Sequence, residues 1–309
     1  MDSIITLSII RPGLNSMVQD AGRSGYQKFG VPVNGFMDRS SARIANWLVG
    51  NPLNDPLLEI TMLGPQIEID NSCSIAVTGA DISPMLNGEL IPMYETHRVA
   101  SNSTLSFGKL NSGCRTYISF SGKLDVKQWL GSASASAHET QNLTPQSLLT
   151  KNMNIRLISS GSLIERRFPW KSKFESKIVA RILPGPEYNY FSGETLSHFL
   201  NHEFVVGINS NRMGYRLEGT VRGFNPDKEV ISSAVIPGTI QITNSGSPII
   251  LMADAQTSGG YPRLANIISA DLDKVAQLKP GDTIAFQLTT LEKALEAKKV
   301  YEHYLNQLK

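Results

Sequence analysis

The sequence predicts a mainly β protein organised as two domains, and three observations carry that expectation. Short segments in which apolar and polar residues alternate recur along the whole chain, which is the period of a strand with one buried face. Turn-forming residues separate these segments at close intervals, with 25 Gly and 16 Pro in all. The length, 309 residues, is about twice that of an ordinary single domain. Many short strands between Gly, Pro, Asn and Asp turns are the pattern of sheets closed into barrels or packed as sandwiches.

In chain order, the alternation predicts strands at 4–10, 58–62, 66–70, 74–78, 105–107 and 116–120. The second half continues with 178–183, 203–208, 229–236, 239–243, 248–253 and 283–288. Helices are few and peripheral. Asp38 has the chemistry of an N-cap for a helix running to Leu48, stopped by Gly50 and Pro52. A second helix is expected over 192–202. A third opens on the capping box Thr289-x-x-Glu292 and carries Leu291, Leu295, Leu305 and Leu308 at helical spacing. Two stretches look like connections: 132–150, where Ser and Ala alternate without a clear period, and 166–177, which is basic and broken by Pro169 and Trp170. A fresh strand follows the latter directly, so the expected domains are 1–170 and 171–309.

Composition excludes several classes of function. Hydrophobic residues make up 41% and charged residues 18%, which rules out a chain disordered throughout. Lys+Arg 29 against Asp+Glu 27 leaves a net charge of +2, too balanced to attract nucleic acid or an anionic membrane. Cys73 and Cys114 form one bridge at most, so no disulfide scaffold is expected and the thiols read as buried and inert. No basic n-region precedes the first apolar stretch and no apolar run reaches membrane-spanning length. A cytoplasmic chain is expected.

Three polar, glycine-rich segments stand out as candidate sites. The first runs Val18-Gln19-Asp20-Ala21-Gly22-Arg23-Ser24-Gly25-Tyr26 and on to Asp38. Glycines let backbone approach a ligand closely, and Asp20, Arg23 and Asp38 would orient it; a long turn wired by an Asp–Arg pair has the same composition. The second, Asn211-Arg212-Met213-Gly214-Tyr215-Arg216, sets two arginines four apart, suited to a carboxylate or phosphate, or to an ordinary exposed strand. In the third, an apolar strand delivers Asp254, Gln256 and Thr257 to a Gly259-Gly260-Tyr261-Pro262 turn. Asp254 there suits a general base or cation partner, and equally a residue capping its own turn. Other chemistry finds no support. His198 and His202 lack the glutamate of a zincin, Gly122-Lys123 lacks the rest of a P-loop, and no G-x-S-x-G elbow or biotin-attachment Ala-Met-Lys-Met occurs. No metal ligand set is expected.

Together the motifs resemble the biotin-dependent carboxyltransferase-related family, also called allophanate hydrolase subunit 2, whose members include KipA and the C subunit of 5-oxoprolinase. The resemblance rests on Val18-Gln19-Asp20-x-Gly22-Arg23-x-Gly25-Tyr26, Gly30-Val31-Pro32, Met37-Asp38, Leu58-Glu59-Ile60-Thr61 and Thr78-Gly79-Ala80-Asp81. It continues through Pro184-Gly185-Pro186, Arg212-Met213-Gly214-Tyr215-Arg216-Leu217, Pro237-Gly238-x-Ile240-Gln241, Gln256-Thr257-x-Gly259-Gly260-Tyr261-Pro262 and Pro280-Gly281-Asp282. It implies two cyclophilin-like β-barrel domains. It also implies work in an assembly: a KipI-type protein (the B subunit of 5-oxoprolinase), a decyclising A subunit, and ATP, with Mg, spent on opening the lactam 5-oxoproline to glutamate. A KipA-like protein that binds a KipI-type kinase inhibitor is the alternative. Carboxyl transfer is a third, with biotin carried in trans because this chain bears none.

On that resemblance Asp254 is expected to handle a proton. Gln256 and Thr257 would orient a small amide or lactam, and Arg212 and Arg216, with Met213 and Tyr215 beside them, would anchor a carboxylate or phosphate. Gly259, Gly260 and Tyr261 would admit the planar ligand. Gln19, Asp20 and Arg23 would form an opposing wall, and Asp38, Thr78 and Gly79 complete the expected substrate-binding set. One departure stands out: the family's Arg-containing Gly-Ser-x-Ser-Thr stretch and the Gly-Gly turn after it are replaced by Gly131-Ser132-Ala133-Ser134-Ala135-Ser136-Ala137-His138. A changed substrate or a regulatory role would follow if that loop lines the site.

Overall fold

Alternating segments become sheets only where their backbones find partners, and long-range pairing does so here across most of the chain. The computed structural model describes residues 3–135, 143–159, 164–169, 174–221 and 230–308. It separates into two compact units. The first comprises 1–23, 34–174 and 308–309; the second comprises 24–33 and 175–307. The junction at 174/175 falls within the basic connection, a few residues beyond the expected 170/171 and next to Trp170, which lies outside the described residues. The grouping of 24–33 with the second unit has no counterpart in the sequence pattern.

In the first unit the described strands are β1 (Ser3–Arg11), β2 (Asn15–Gln19), β3 (Leu57–Thr61), β4 (Gln66–Ile69), β5 (Cys73–Asp81) and β6 (Pro84–Leu86). They continue with β7 (Glu89–Leu90), β8 (Thr96–Val99), β9 (Ser103–Phe107), β10 (Ser112–Phe120), β11 (Lys123–Asp125) and β12 (Asn154–Ser159). They form a seven-stranded sheet, β11-β12-β1-β4-β9-β6-β7, and a five-stranded sheet, β2-β3-β10-β5-β8. Alternation puts Ile5, Leu7, Ile9, Ile67 and Ile69 of one sheet into a single core with Val18, Leu58, Ile60, Ile75 and Ile118 of the other. The opposite face of the five-stranded sheet carries Gln19, Glu59, Thr78, Tyr117 and Ser119, and helix α1 (Arg39–Leu48) packs on it through Ala42 and Ala45 against Leu57 and Tyr117.

In the second unit β13 (Lys177–Pro184), β14 (Phe204–Val206), β15 (Gly214–Glu218), β17 (Thr239–Ile242), β18 (Pro248–Leu251), β20 (Arg263–Ile267) and β21 (Thr283–Leu288) close a barrel. Its order is β13-β20-β17-β18-β15-β14-β21, sealed by parallel pairing of β13 with β21. A two-stranded ribbon, β16 (Ser233–Ala234) with β19 (Ser258–Gly259), stands apart from it. Helix α2 (Gly193–Asn201) packs on the barrel by stacking Phe199 on Phe286, ring centroids 4.8 Å apart. Helices α3 (Leu272–Ala276) and α4 (Leu291–Asn306) complete the unit. The mainly β class is as expected and the predicted Asp38 cap holds, accepting from Ser41 N; α2, expected over 192–202, is capped by Ser192, which accepts from Thr195 N.

Other details differ. Thr290, not Thr289, caps α4, because Thr289 N is still engaged by Ile182 O at the end of the β13–β21 pairing. The predicted box therefore slips by one residue and Glu292 falls at the second helical position. Of the four leucines expected at helical spacing, Leu305 and Leu308 are buried and Leu291 and Leu295 exposed, with Ala294 buried in the first half of α4. The strand expected at 229–236 is the short β16; Glu229 lies outside the described residues. Among the described residues no helix is long and apolar enough to cross a membrane.

Candidate functional site

In the first unit, β2 ends at Gln19 and passes directly into Asp20, and the polar side chains of this motif turn to one neighbour, the stretch 129–135. Asp20 Oδ1 accepts from Ser132 Oγ (2.6 Å), Ser134 Oγ (2.6 Å) and Gly22 N (2.8 Å), while Oδ2 accepts from Ala133 N (2.6 Å). Gln19 Nε2 donates to Ala135 O at 2.8 Å. Arg23 donates to Ser134 O and to Asn34 Oδ1, and its guanidinium lies 5.2 Å from the centre of a Trp129 ring. The remaining backbone groups are also paired: Ser132 with Trp129 in both directions, Ala133 O with Ser147 Oγ, Ser134 N with Ser132 Oγ, and Ala135 N with Val18 O. Every backbone N–H and C=O from Ser132 to Ala135 thus has a protein partner, which defines one conformation rather than a floppy connection. Gln19, Asp20 and Arg23 are all buried. Their described bonds run to Gly22, Asn34 and the 129–135 stretch, a wider wiring than the Asp–Arg pair that the sequence suggests. The part of the family pattern kept here, Gly131-Ser132-x-Ser134, is the part Asp20 uses; Ser136, Ala137 and His138 lie outside the described residues.

Asp38, Thr78 and Gly79 lie inside the same unit, where Asp38 and Thr78 secure α1. Asp38 Oδ1 and Oδ2 accept from Ser41 N (2.9 Å) and Ser41 Oγ (2.6 Å), and Thr78 Oγ1 donates to Ser41 O at 2.6 Å. Gly79 has φ +81°, and a Cβ there would stand 2.3 Å from Arg115 O, so its glycine serves the sheet. Beneath α1 sits a network that the expected site residues do not include. Tyr117 Oη donates to Glu59 Oε2 (2.9 Å) and accepts from Asp38 N (2.7 Å); Met37 N donates to Glu59 Oε2 (2.9 Å); Arg115 Nε is 3.9 Å from Glu59 Oε1. Burial, then the negative charges of Glu59 and Asp38, push the Tyr117 phenol well above its usual range, so it stays a donor. Burial, then Asp70, pushes the Cys73 thiol up to about 12, leaving it inert as expected.

In the second unit Arg212 and Asp254 meet in a planar fork. Arg212 Nε donates to Asp254 Oδ2 at 2.9 Å and Nη2 to Oδ1 at 2.8 Å, with only 3% and 1% of the two side chains exposed. Their backbones are joined as well, Asp254 N to Arg212 O at 2.9 Å, and Met252 N to Met213 O at 3.0 Å. This double tie welds the start of β15 to the turn after β18. Tyr215 is buried and donates to Ala276 O at 3.0 Å. The expected site residues of this unit that meet solvent are Met213, Arg216, Gln256, Gly260 and Tyr261, with Thr257 and Gly259 half-buried. Gly259 lies in β19, where a Cβ would stand 2.7 Å from Gln241 Nε2, and Gln241 Nε2 donates to Tyr261 O at 3.2 Å. Gln241 therefore braces the glycine turn from below. Among these residues, exposed Arg216 has the chemistry to receive an anionic group, and Gln256 and Thr257 the chemistry to orient an amide. Among the described residues no group of three or more His, Cys, Asp or Glu is placed to hold a metal.

Two further forks brace the second unit. Arg263 grips Glu187 (Nε–Oε2 2.7 Å, Nη2–Oε1 2.6 Å) and Arg181 grips Asp271 (Nε–Oδ2 2.9 Å, Nη2–Oδ1 2.6 Å). The Arg263 side chain holds the Glu187 carboxyl below its usual range, against the opposing effect of burial. Burial alone would raise Asp271, yet the bonds from Arg181, with help from Lys274, bring it below its usual range. A depressed folded-state pKa contributes stability that is complete above the unfolded-state value, about 4, and is lost as pH falls through the folded value. The melting temperature is accordingly expected to fall from about pH 4.5 downwards. Glu187→Gln with Asp271→Asn should lower it at pH 7 and flatten the acid limb; an unchanged acid limb in that double variant would exclude these two pairs as its source.

Comparison with known proteins agrees with this architecture. The model of the carboxyltransferase domain, subdomain A and B, matches residues 29–288. The 5-oxoprolinase C subunit of Escherichia coli (strain K12) is 34% identical over 310 residues, spanning 98% of this chain and 97% of its own length. The protein of the same name from Haemophilus influenzae is 32% identical over 293 residues, 94% of each chain. The crystal structure of the K. lactis urea amidolyase superposes with a TM-score of 0.89 at 31% identity over 98% of this chain, which spans 20% of that much longer protein. With a model match over most of its length and full-length relatives above 30% identity, the chain belongs to the carboxyltransferase subdomain A and B family.

Proposed function

We propose that this chain is the C subunit of an ATP-dependent 5-oxoprolinase, opening the lactam 5-oxoproline to glutamate together with a KipI-type B subunit and a decyclising A subunit. The observation that carries the reading is the end-to-end relationship to two proteins named as C subunits of 5-oxoprolinase, with 98% and 97% of the two chains aligned in the first case. The chemistry is compatible. An unstrained lactam opens only with an energy input, which ATP supplies, and its planar amide and carboxylate must be held while that happens. Arg216 is assigned to the carboxylate and Gln256 and Thr257 to the amide, with Gly259, Gly260 and Tyr261 shaping the turn beside them. Asp254, with Arg212, is assigned the task of holding that turn. ATP and Mg2+ are assigned to the partner subunits.

The test mixes the purified chain with cognate B and A subunits, Mg-ATP and 5-oxoproline and measures glutamate. Release that depends on all three subunits and on ATP is the expected result. No glutamate, in an assay where the Escherichia coli C subunit with its own partners succeeds, overturns the reading. The likeness to urea amidolyase favours a second reading, carboxyl transfer from biotin on a separate carrier. Carboxylation of urea on adding a carboxybiotinylated carrier domain would favour it.

A further inference from the structure

We propose that residues 164–168 are a charge-keyed strap that closes an edge of the five-stranded sheet, and that its release opens β8 to pairing with a second copy of this chain. Strand β8 ends that sheet, paired with β5 on one side, so the row of N–H and C=O groups on its other side needs partners from elsewhere. The strap meets that row. Thr96 N donates to Arg166 O at 2.9 Å, Phe168 N donates to Tyr94 O at 2.8 Å, and Glu95 stands opposite Arg167 in antiparallel register. Burial along the strap alternates as in a strand: Ile164, Arg166 and Phe168 turn inward, Glu165 and Arg167 to solvent. Residues 166–168, which the sequence reads as the start of a connection, thus run as sheet in the first unit. The opposite edge, β2, is covered in the same way by 147–149, through Val18 N to Ser147 O (2.6 Å) and Leu149 N to Ser16 O (3.0 Å).

Phe168, 8% exposed, packs edge-on to Trp47 of α1, ring centroids 6.2 Å apart, and beside Tyr94 at 6.5 Å. The Arg166 guanidinium lies 4.8 Å from the centre of the Trp47 ring and donates to Trp47 O. Thr96 Oγ1 accepts from Arg166 N (3.2 Å) and donates to Leu48 O (2.7 Å). These anchors supply the strength. The ion pairs Arg98–Glu165 (2.7 Å) and Arg167–Glu95 (3.5 Å) are too exposed to add much of it, and what they do is select register. A slip of two residues one way sets Glu95 opposite Glu165, and the other way sets Arg98 opposite Arg166, like charges face to face in both cases. A slip of one residue turns Phe168 out to solvent. The same alignment shows why a second copy fits the bare edge. The strap sets a base, Arg167, opposite Glu95 and an acid, Glu165, opposite His97. Antiparallel pairing of two β8 strands about Thr96 sets Glu95 of each copy opposite His97 of the other, which repeats that pattern with two-fold symmetry.

The test compares wild type with Phe168→Ala, Phe168→Leu, Glu95→Arg, Arg167→Glu and the charge exchange that combines the last two, each in the full chain. One readout is hydrogen exchange at the Thr96 amide; the other is the sedimentation coefficient over a range of concentrations. At low concentration Phe168→Ala is expected to lose Thr96 protection by about tenfold or more, because the buried anchor is gone. Phe168→Leu should lose less. Each single charge change should lose about two- to fivefold, and the exchange should restore wild-type protection. As concentration rises, Phe168→Ala should form dimers that the wild type does not form at the same concentration, and Thr96 protection should return with them. Unchanged protection in Phe168→Ala overturns the strap, and an exchange variant no better than the single changes overturns its charge key. A variant that opens yet sediments as wild type, or that associates with Thr96 still unprotected, overturns the pairing through β8. Should Phe168→Ala fail to fold, Phe168→Leu carries the same comparison.

Discussion

Asp254→Ala is expected to destabilise the second unit by about 3–5 kcal/mol, because it leaves the Arg212 guanidinium buried opposite an empty space. Two charges in a bidentate fork with 3% and 1% of their side chains exposed are far from the solvent-screened surface pairs whose loss is hardly felt. Arg212→Ala should cost about as much, through the uncompensated Asp254 carboxylate. Arg212→Met with Asp254→Leu should recover most of the loss, since removing both charges removes the desolvation penalty along with the attraction. Arg212→Lys should fall between, because a point charge cannot reproduce the fork. Guanidinium unfolding of each variant, followed through the transition of the second unit, measures these differences. A freely available general base would give the opposite pattern: Asp254→Asn inactive yet as stable as wild type. Wild-type stability in both single alanine variants would sink the scaffold role assigned to this pair.

What is legible in the sequence, and what is not, follows from the range of the interactions concerned. Strands β1, β3, β4, β5, β10, β13, β17, β18 and β21 are visible as local alternation, and the Asp38 and Ser192 caps act within three residues. β2 and β15 are hidden because their residues have the composition of ligand motifs; their strand character comes from their neighbours, β3 for β2, and β14 and β18 for β15. β12 does alternate, as Asn154-Ile155-Arg156-Leu157-Ile158-Ser159, but it follows a stretch without period that masks it. Residue type locates the site motifs, and type alone does not say which way the side chains face. Arg212 and Asp254 are 42 positions apart and Asp20 and Ser134 are 114 apart, so no local window pairs them. Glu59 does carry a local signal, a single acid in an otherwise apolar strand, Leu57-Leu58-Glu59-Ile60, where an unpaired charge would be prohibitive and a buried partner is therefore implied. The partner itself is known only once β10 is laid beside β3, which sets Tyr117 opposite Glu59.

That network makes Glu59→Ala the second large effect, an expected loss of about 3–5 kcal/mol in the first unit. Removing the carboxylate takes a partner from three groups at once: the Arg115 guanidinium, the Tyr117 hydroxyl and Met37 N. Glu59→Gln keeps an acceptor for Met37 N and Tyr117 and should cost less, the difference reporting the charge owed to Arg115. Tyr117→Phe removes one bond to a charged group and leaves Asp38 N without its acceptor, about 1.5–3 kcal/mol. Because both changes empty the same network, Glu59→Ala with Tyr117→Phe should fall well short of their sum. The segment that feels the loss first is 36–38, whose amides at Met37 and Asp38 are held by these side chains, so their hydrogen exchange should rise in both single variants before global unfolding does. The raised phenol adds a sign: the folded state favours protonated Tyr117, so its contribution is complete below the unfolded-state value of about 10 and is lost as pH rises beyond it. Wild-type protein should therefore lose stability above about pH 10 more steeply than Tyr117→Phe. Parallel alkaline limbs in the two proteins, or fully additive losses in the double variant, would show that Glu59 and Tyr117 do not act as one network beneath α1.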